Sequence, residues 1–256
     1  MVDDLLLISG NDIPFPQGRV TIHQPSLKEI AYLTEEGFWR GCELLKFNKE
    51  ILADEDKVNL SNISNFNIIM MMIQEKNLES QKAKINVLSL LTLLFPSEQI
   101  QLQKDKIILK STVNEDFGEI NQDNFEIFKD ILVKMFCLNS SDNKEYDPQG
   151  DLAKKIANQI KRGREKKAKL ASDDQKIAIL SRYVSVLAVG EGKNINDLMG
   201  YTIYQLMDEF NRFQLKLNYD HYLQFKCAGA SDMKEPEDWF KDIHSNKPNE
   251  KLSDIL

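Results

Sequence analysis

Residues 200–243 read GYTIYQLMDEFNRFQLKLNYDHYLQFKCAGASDMKEPEDWFKDI, and this stretch decides the fold class. Thr202 is placed as an N-cap whose hydroxyl accepts from a free amide of the first turn, and Gln205 three residues on completes a capping box. Tyr201 and Leu206 flank the cap as a hydrophobic staple. Ile203, Leu206, Met207, Phe210, Phe213 and Leu217 recur at helical spacing and make one apolar stripe, while Asp208, Glu209, Arg212 and Lys216 take the other side. The helix is expected to run to about Ala228, because Gly229 enters the left-handed conformation without strain. Pro236 is expected to open a second short helix carrying Trp239 and Phe240. The plain reading is an amphipathic helix packed on its own domain. The sharper one is that Tyr204, Phe213, Tyr219, Tyr222 and Phe225 form an aromatic face that docks a partner helix.

Upstream, residues 152–170 form a basic helix with sparse apolar residues. Its candidate partner-binding residues are Lys161, Arg162, Arg164, Lys166 and Lys167, on a face that is solvated or meets an acidic partner. A third use, contact with nucleic-acid phosphates, is disfavoured by the net charge of −7. Residues 174–189 predict a further helix carrying Leu180, Tyr183, Val184 and Leu187, ended by Gly190 and Gly192, and a short helix covers 195–199. Drawn as helix-turn-helix, the turn is long, and the would-be recognition helix lacks the Arg, Asn or Gln cluster that reads bases.

The N-terminal half mixes strands and helices. Residues 5–8 and 19–22 predict an N-terminal hairpin with a long connection through Gly10-Asn11-Asp12 and Pro14-Phe15-Pro16-Gln17-Gly18. Ser26 and Glu29 make a second capping box after Pro25, for a helix to about Leu33 with Ile30 and Leu33 inward. Gly37 is expected to break the chain before a helix through Trp39, Cys42 and Leu45. Ser64 or Asn65 caps the next helix, with Phe66, Ile69, Met70 and Ile73 inward; Met70-Met71-Met72 reads as apolar filler. Residues 82–95 form an apolar helix stopped by Pro96. Strands at 99–103 and 106–110 make a compact hairpin, 119–121 adds an extended piece, and Asp123 caps a helix that buries Phe125, Phe128, Ile131, Leu132 and Met135. NSSDNKEYDPQG at 139–150 is polar and aperiodic. The expected organisation is an α+β domain at 1–138, a linker at 139–150, an all-α helical domain at 151–245 and a polar tail at 246–256. The fold class is mostly α with small β-hairpins.

The 256 residues, 42% of them hydrophobic, suffice for a real core. The best candidate for a membrane span, 87–95, is too short to cross a bilayer, and the acidic start Met1-Val2-Asp3-Asp4 is unlike a secretory leader, so no membrane association is expected. Three widely spaced cysteines, Cys42, Cys137 and Cys227, argue for buried thiols in a reducing compartment. His23, His221 and His244 have no metal-ligand spacing. Phosphate-binding and nucleophile motifs are lacking. Glu35 with Glu36, and Asp173 with Asp174, read as solvated helix termini rather than catalytic pairs. No enzyme activity, cofactor or metal is expected.

Two stretches carry a resemblance: RVTIHQPSLKEIAYLTEEGFWRGCELL near the N-terminus, and SRYVSVLAVGEGKNINDLMGYTIYQLMDEFNRFQLKLNYDHYLQFKCAGA with the following EDWFKDI. Both resemble the tail assembly chaperones encoded beside the tape-measure gene in long-tailed bacteriophages of low-GC Gram-positive hosts. The entries Ile22-His23-Gln24-Pro25-Ser26 and Thr202-Ile203-Tyr204-Gln205-Leu206 carry most of it. The resemblance implies a non-enzymatic protein of the host cytoplasm that keeps the tape-measure protein soluble during virion morphogenesis, with the tail tube protein as a further partner and homo-oligomers left open. Such chaperones have no active-site residues to carry over. The alternatives are a structural baseplate or tail-tip protein of the virion tail, and a nucleic-acid-binding regulator using residues 152–170.

Overall fold

The computed structural model describes residues 2–47, 63–75, 77–111, 117–138, 179–230, 235–239 and 243. The expected linker 139–150, the basic segment 152–170 with Lys161, Arg162, Arg164, Lys166 and Lys167, residues 174–178, Phe240 and the tail 246–256 lie outside the described residues.

The chain begins with a helix where a strand was expected. Helix α1 (Asp4–Ser9) is capped by the Asp3 carboxylate, which accepts from the Leu5 amide, and is ended by Gly10 at φ 70°. Leu5-Leu6-Leu7-Ile8 has no alternation, so two local caps settle its conformation. The hairpin therefore lies further on. Strand β1 (Ile13–Phe15) pairs antiparallel with β2 (Val20–Ile22) across a 3-10 turn at Pro16–Gly18, with Ile13 opposite Ile22. Ile13, Phe15 and Ile22 are buried.

Helix α2 (Leu27–Leu33) carries the expected capping box of Ser26 and Glu29. Helix α3 (Glu35–Lys46) follows at once. The break falls at Thr34, whose φ is 75°, and not at Gly37, which lies inside the helix and donates its amide to the Thr34 hydroxyl. Helix α4 (Asn65–Gln74) is capped by Ser64 and buries Phe66, Ile69, Met70 and Ile73. Met70 alone of the methionine run is core; Met71 and Met72 are exposed. Helix α5 (Leu78–Leu94) starts before the expected position 82 because the Asn77 side chain accepts from the Ser80 amide. It passes α3 closely at Gly41, where a Cβ would come within 3.0 Å of the Asn86 carbonyl.

Strands β3 (Glu98–Leu102), β4 (Lys106–Ser111) and β5 (Phe117–Asn121) form an antiparallel sheet in that order. Helix α6 (Phe125–Met135) buries all five residues expected of it. Its N-cap is Asn124 rather than Asp123. The Asn124 side chain accepts from the Asn121 amide at 2.9 Å and donates to the Gln17 and Glu119 carbonyls at 3.1 and 2.9 Å. One amide thereby ties the hairpin turn to the sheet.

Helix α7 (Leu180–Glu191) ends at Gly192, at φ 69°. A one-turn helix α8 (Ile195–Leu198) leads to α9 (Ile203–Cys227), 25 residues and about 38 Å long at 1.5 Å per residue. Gly229 follows at φ 95°. Residues 235–239 are not helical, so Pro236 opens no helix among the described residues. The architecture is mostly helical with two small antiparallel sheets. Leu180, Leu187, Leu198, Ile203, Tyr204 and Leu206 share one hydrophobic core with Leu7, Phe15, Phe38, Leu90 and Phe128. The segments on either side of residues 139–150 thus fill a common interior.

Candidate functional site

Helix α9 passes from core to surface along its length. Its start is fixed by bonds to two other elements, α2 and α1. Ser26 and Thr202, the N-caps of α2 and α9, pair as an isolated antiparallel bridge. Beside it the Leu27 amide donates to the Tyr201 carbonyl at 2.8 Å and the Lys28 amide to the Met199 carbonyl at 2.9 Å. The Thr202–Gln205 capping box is formed, and the Gln205 side chain also donates to the Ile8 carbonyl at 2.6 Å, past Gly10. Tyr204 donates its hydroxyl to Asp4 at 2.8 Å. Burial and this acceptor push its phenol well above the usual tyrosine range.

The α2 side of the joint is braced in turn. Both ring nitrogens of His23 face carboxylates, Nδ1 at 2.8 Å from Asp12 and Nε2 at 3.2 Å from Glu29. Burial disfavours the charged form of Glu29, but bonds from the Ser26 hydroxyl and amide and the neighbouring His23 outweigh it, so the carboxyl sits below its ordinary value. Glu35 is not simply solvated: Oε1 accepts from the amides of Ile179 and Leu180 at 2.6 and 2.8 Å and from the Trp39 indole at 3.3 Å. It caps α7 from another helix, while Glu36 pairs with Arg40.

Beyond its first turns α9 emerges. Ile203 and Leu206 are buried; Met207, Phe210 and Phe213 are half-buried; Leu217, Leu223 and Phe225 are 37%, 41% and 57% exposed. Against α7, Phe210 meets the Tyr183 ring edge-on at 4.4 Å between centroids. The Phe213 ring rests where Gly190 has no side chain, since a Cβ there would lie 2.4 Å from the ring.

The five aromatic residues do not form one docking face. Tyr204 is 1% exposed and belongs to the core, which corrects its assignment to a partner surface. Phe213 turns toward α7, about half a turn away from Tyr222 at roughly 100° per residue. Tyr219 and Tyr222 are half-buried, and Tyr222 receives Lys226 at its hydroxyl and over its ring. Phe225 is the aromatic residue of α9 left most open. The sequence reading missed the neighbouring apolar surface of α7, where Val186 and Val189 are 44% and 87% exposed. Their signal was their position off the Leu180–Val184–Leu187 stripe.

Cys42 is buried, Cys137 half-buried and Cys227 exposed, so the last departs from the expectation of three buried thiols. Burial raises the Cys42 thiol far above its ordinary value, and burial with the nearby Asp208 pushes Cys137 up to about 12. Among the described residues no cluster of three or more His, Cys, Asp or Glu side chains could hold a metal ion, and no helix is long and apolar enough to cross a membrane.

No curated protein and no solved structure matches the chain. Residues 169–244, which contain α7, α8 and α9, match the family model of the YomV second domain, and it is to this phage-associated domain that the helical end of the chain is similar.

Proposed function

We propose that this protein is a non-enzymatic phage tail assembly chaperone, acting in the host cytoplasm to bind the tape-measure protein and keep it soluble while the tail tube assembles. The observation that carries this reading is the gradient along α9. A helix locked at one end by Thr202, Tyr204 and Gln205 holds out a half on which Leu217, Leu223 and Phe225 are exposed among polar residues. Such a helix offers transient cover to an apolar stripe on another helix. Two further facts support it. The similarity of residues 169–244 to a phage-associated domain falls on the same helix. The two sequence entries that resemble tail chaperones, at Ser26 and Thr202, meet at one bridge.

The test compares lysate with purified particles by quantitative mass spectrometry. The proposal expects the protein in the lysate, in complex with the tape-measure protein, and absent from mature particles. A stoichiometric copy in the particle would instead make it a structural baseplate or tail-tip protein.

A further inference from the structure

We infer that the protein pairs with a second copy of itself through the free edge of β3, two antiparallel β3 strands meeting at Gln101 on a two-fold axis. This goes beyond the chaperone reading and stands apart from it, because it rests on the three-stranded sheet and not on α9.

The edge follows from the ladder. Strand β3 is an outer strand of its sheet. The Gln103 amide donates to the Lys106 carbonyl at 2.9 Å, and bonded pairs alternate along an antiparallel ladder. Gln101 and Gln99 therefore bond Ile108 and Lys110, and the backbone groups of Ile100 and Leu102 point away from β4. The other outer strands among the described residues are closed. Strand β1 carries Pro14, which has no amide to offer. Strand β5 lies against the first hairpin, so close that a Cβ on Gly118 would come within 2.5 Å of the Gly18 carbonyl. Strand β3, EQIQL, has along its length neither a Pro nor a Lys, the residues that commonly keep an edge from pairing.

The occupant follows from the side chains. Glu98 is half-buried and Lys104 exposed. Among the described residues neither forms an ion pair, whereas the nearby Lys106 pairs with Glu119 at 3.1 Å. Centring two copies on Gln101 sets Glu98 of one copy opposite Lys104 of the other, and Ile100 opposite Leu102. The charges are then matched across the axis. The half-buried Ile100 and Leu102 meet on the face where Leu109 and Ile107, their partners on β4, are buried. Their outward amides and carbonyls all find partners. An axis at Ile100 would instead set Glu98 against Leu102 and Lys104 against Pro96, so charge selects the register. One segment supplies both halves of each pair, as an isologous two-fold contact requires.

The experiment measures sedimentation equilibrium of the full chain from about micromolar to about millimolar concentration. In parallel, Gln101→Cys and Gln99→Cys are oxidised in a Cys227→Ser background, since Cys227 is exposed. Gln101 would face its own copy across a Cα separation of about 4.5 Å, within the disulfide range, while Gln99 would face Gln103. Melting temperatures of the variants confirm folding. The expected result is a concentration-dependent dimer, with cross-linking at 101 about tenfold or more faster than at 99. Glu98→Lys and Lys104→Glu should each weaken the dimer about tenfold, and the two together should restore it to within about threefold. A monomer over the whole range, equal cross-linking at 99 and 101, or a double variant weaker than either single one would overturn the inference and leave the chaperone reading standing.

Discussion

Ser26 and Thr202, far apart in the chain, cap two helices and face each other across a single antiparallel bridge. Each hydroxyl accepts the amide three residues on, at 3.3 Å in both cases. Each backbone amide is in turn held by that third residue, Glu29 or Gln205, at 2.8 Å. Through this joint α9 takes its direction from the N-terminal part of the chain.

Thr202→Ala and Ser26→Ala should each cost about 1 kcal/mol in urea denaturation, the usual value of an N-cap. Because the caps are adjacent, the double variant should depart from additivity by about 0.5 kcal/mol or more. Additive losses would mean that the two helix starts are independent.

Gly190→Ala should destabilise the protein although alanine favours a helix by up to about 1 kcal/mol. The new methyl would sit 2.4 Å from the Phe213 ring, and overpacking of this kind costs about 1–3 kcal/mol. Combining it with Phe213→Leu should recover part of the loss. A stabilised Gly190→Ala would show that the two helices do not cross as described.

Tyr204→Ala should cost about 3–5 kcal/mol, as for other large buried side chains, and Phe225→Ala less than about 0.5 kcal/mol, as for exposed positions. In a pull-down with the tape-measure protein the order should reverse among folded variants, with Phe225→Ala weakening partner capture.

Stability should fall in acid partly through Glu29. Its carboxyl titrates lower in the folded protein than in the unfolded chain, where the value is about 4.3. As the pH drops the unfolded state binds the proton first, so the contribution is present above that value and is lost as pH falls through the folded one. Glu29→Gln should flatten this part of the acid limb. An unchanged limb would place the acid sensitivity elsewhere.

A thiol reagent at pH 8 should modify Cys227 promptly in the folded protein and reach Cys42 and Cys137 only on unfolding, since the first is exposed and the other two are held protonated by burial. Fast labelling of two or three thiols in the native protein would contradict the packing around α3 and α6.

The features legible in the sequence were those written locally. The boxes at Ser26–Glu29 and Thr202–Gln205, the stop after Cys227, and the inward faces of α4 and α6 need only a few neighbours to specify them. What the sequence concealed depends on distant chain. Tyr204 looked like an exposed aromatic because its acceptor, Asp4, lies 200 residues away. Gly190 looked like a helix stop because nothing nearby names the ring of Phe213. Leu5–Ile8 looked like a strand because a run of four aliphatics has no period, and the caps at Asp3 and Gly10 decide it. Glu35 read as a solvated terminus because the amides it caps belong to α7.

The most direct measurement is co-expression of this protein with the tape-measure protein, scoring soluble complex by pull-down against the tape-measure protein alone. The client should be insoluble alone and be recovered in a soluble complex. A client that stays insoluble, with no complex formed, would contradict the proposed role.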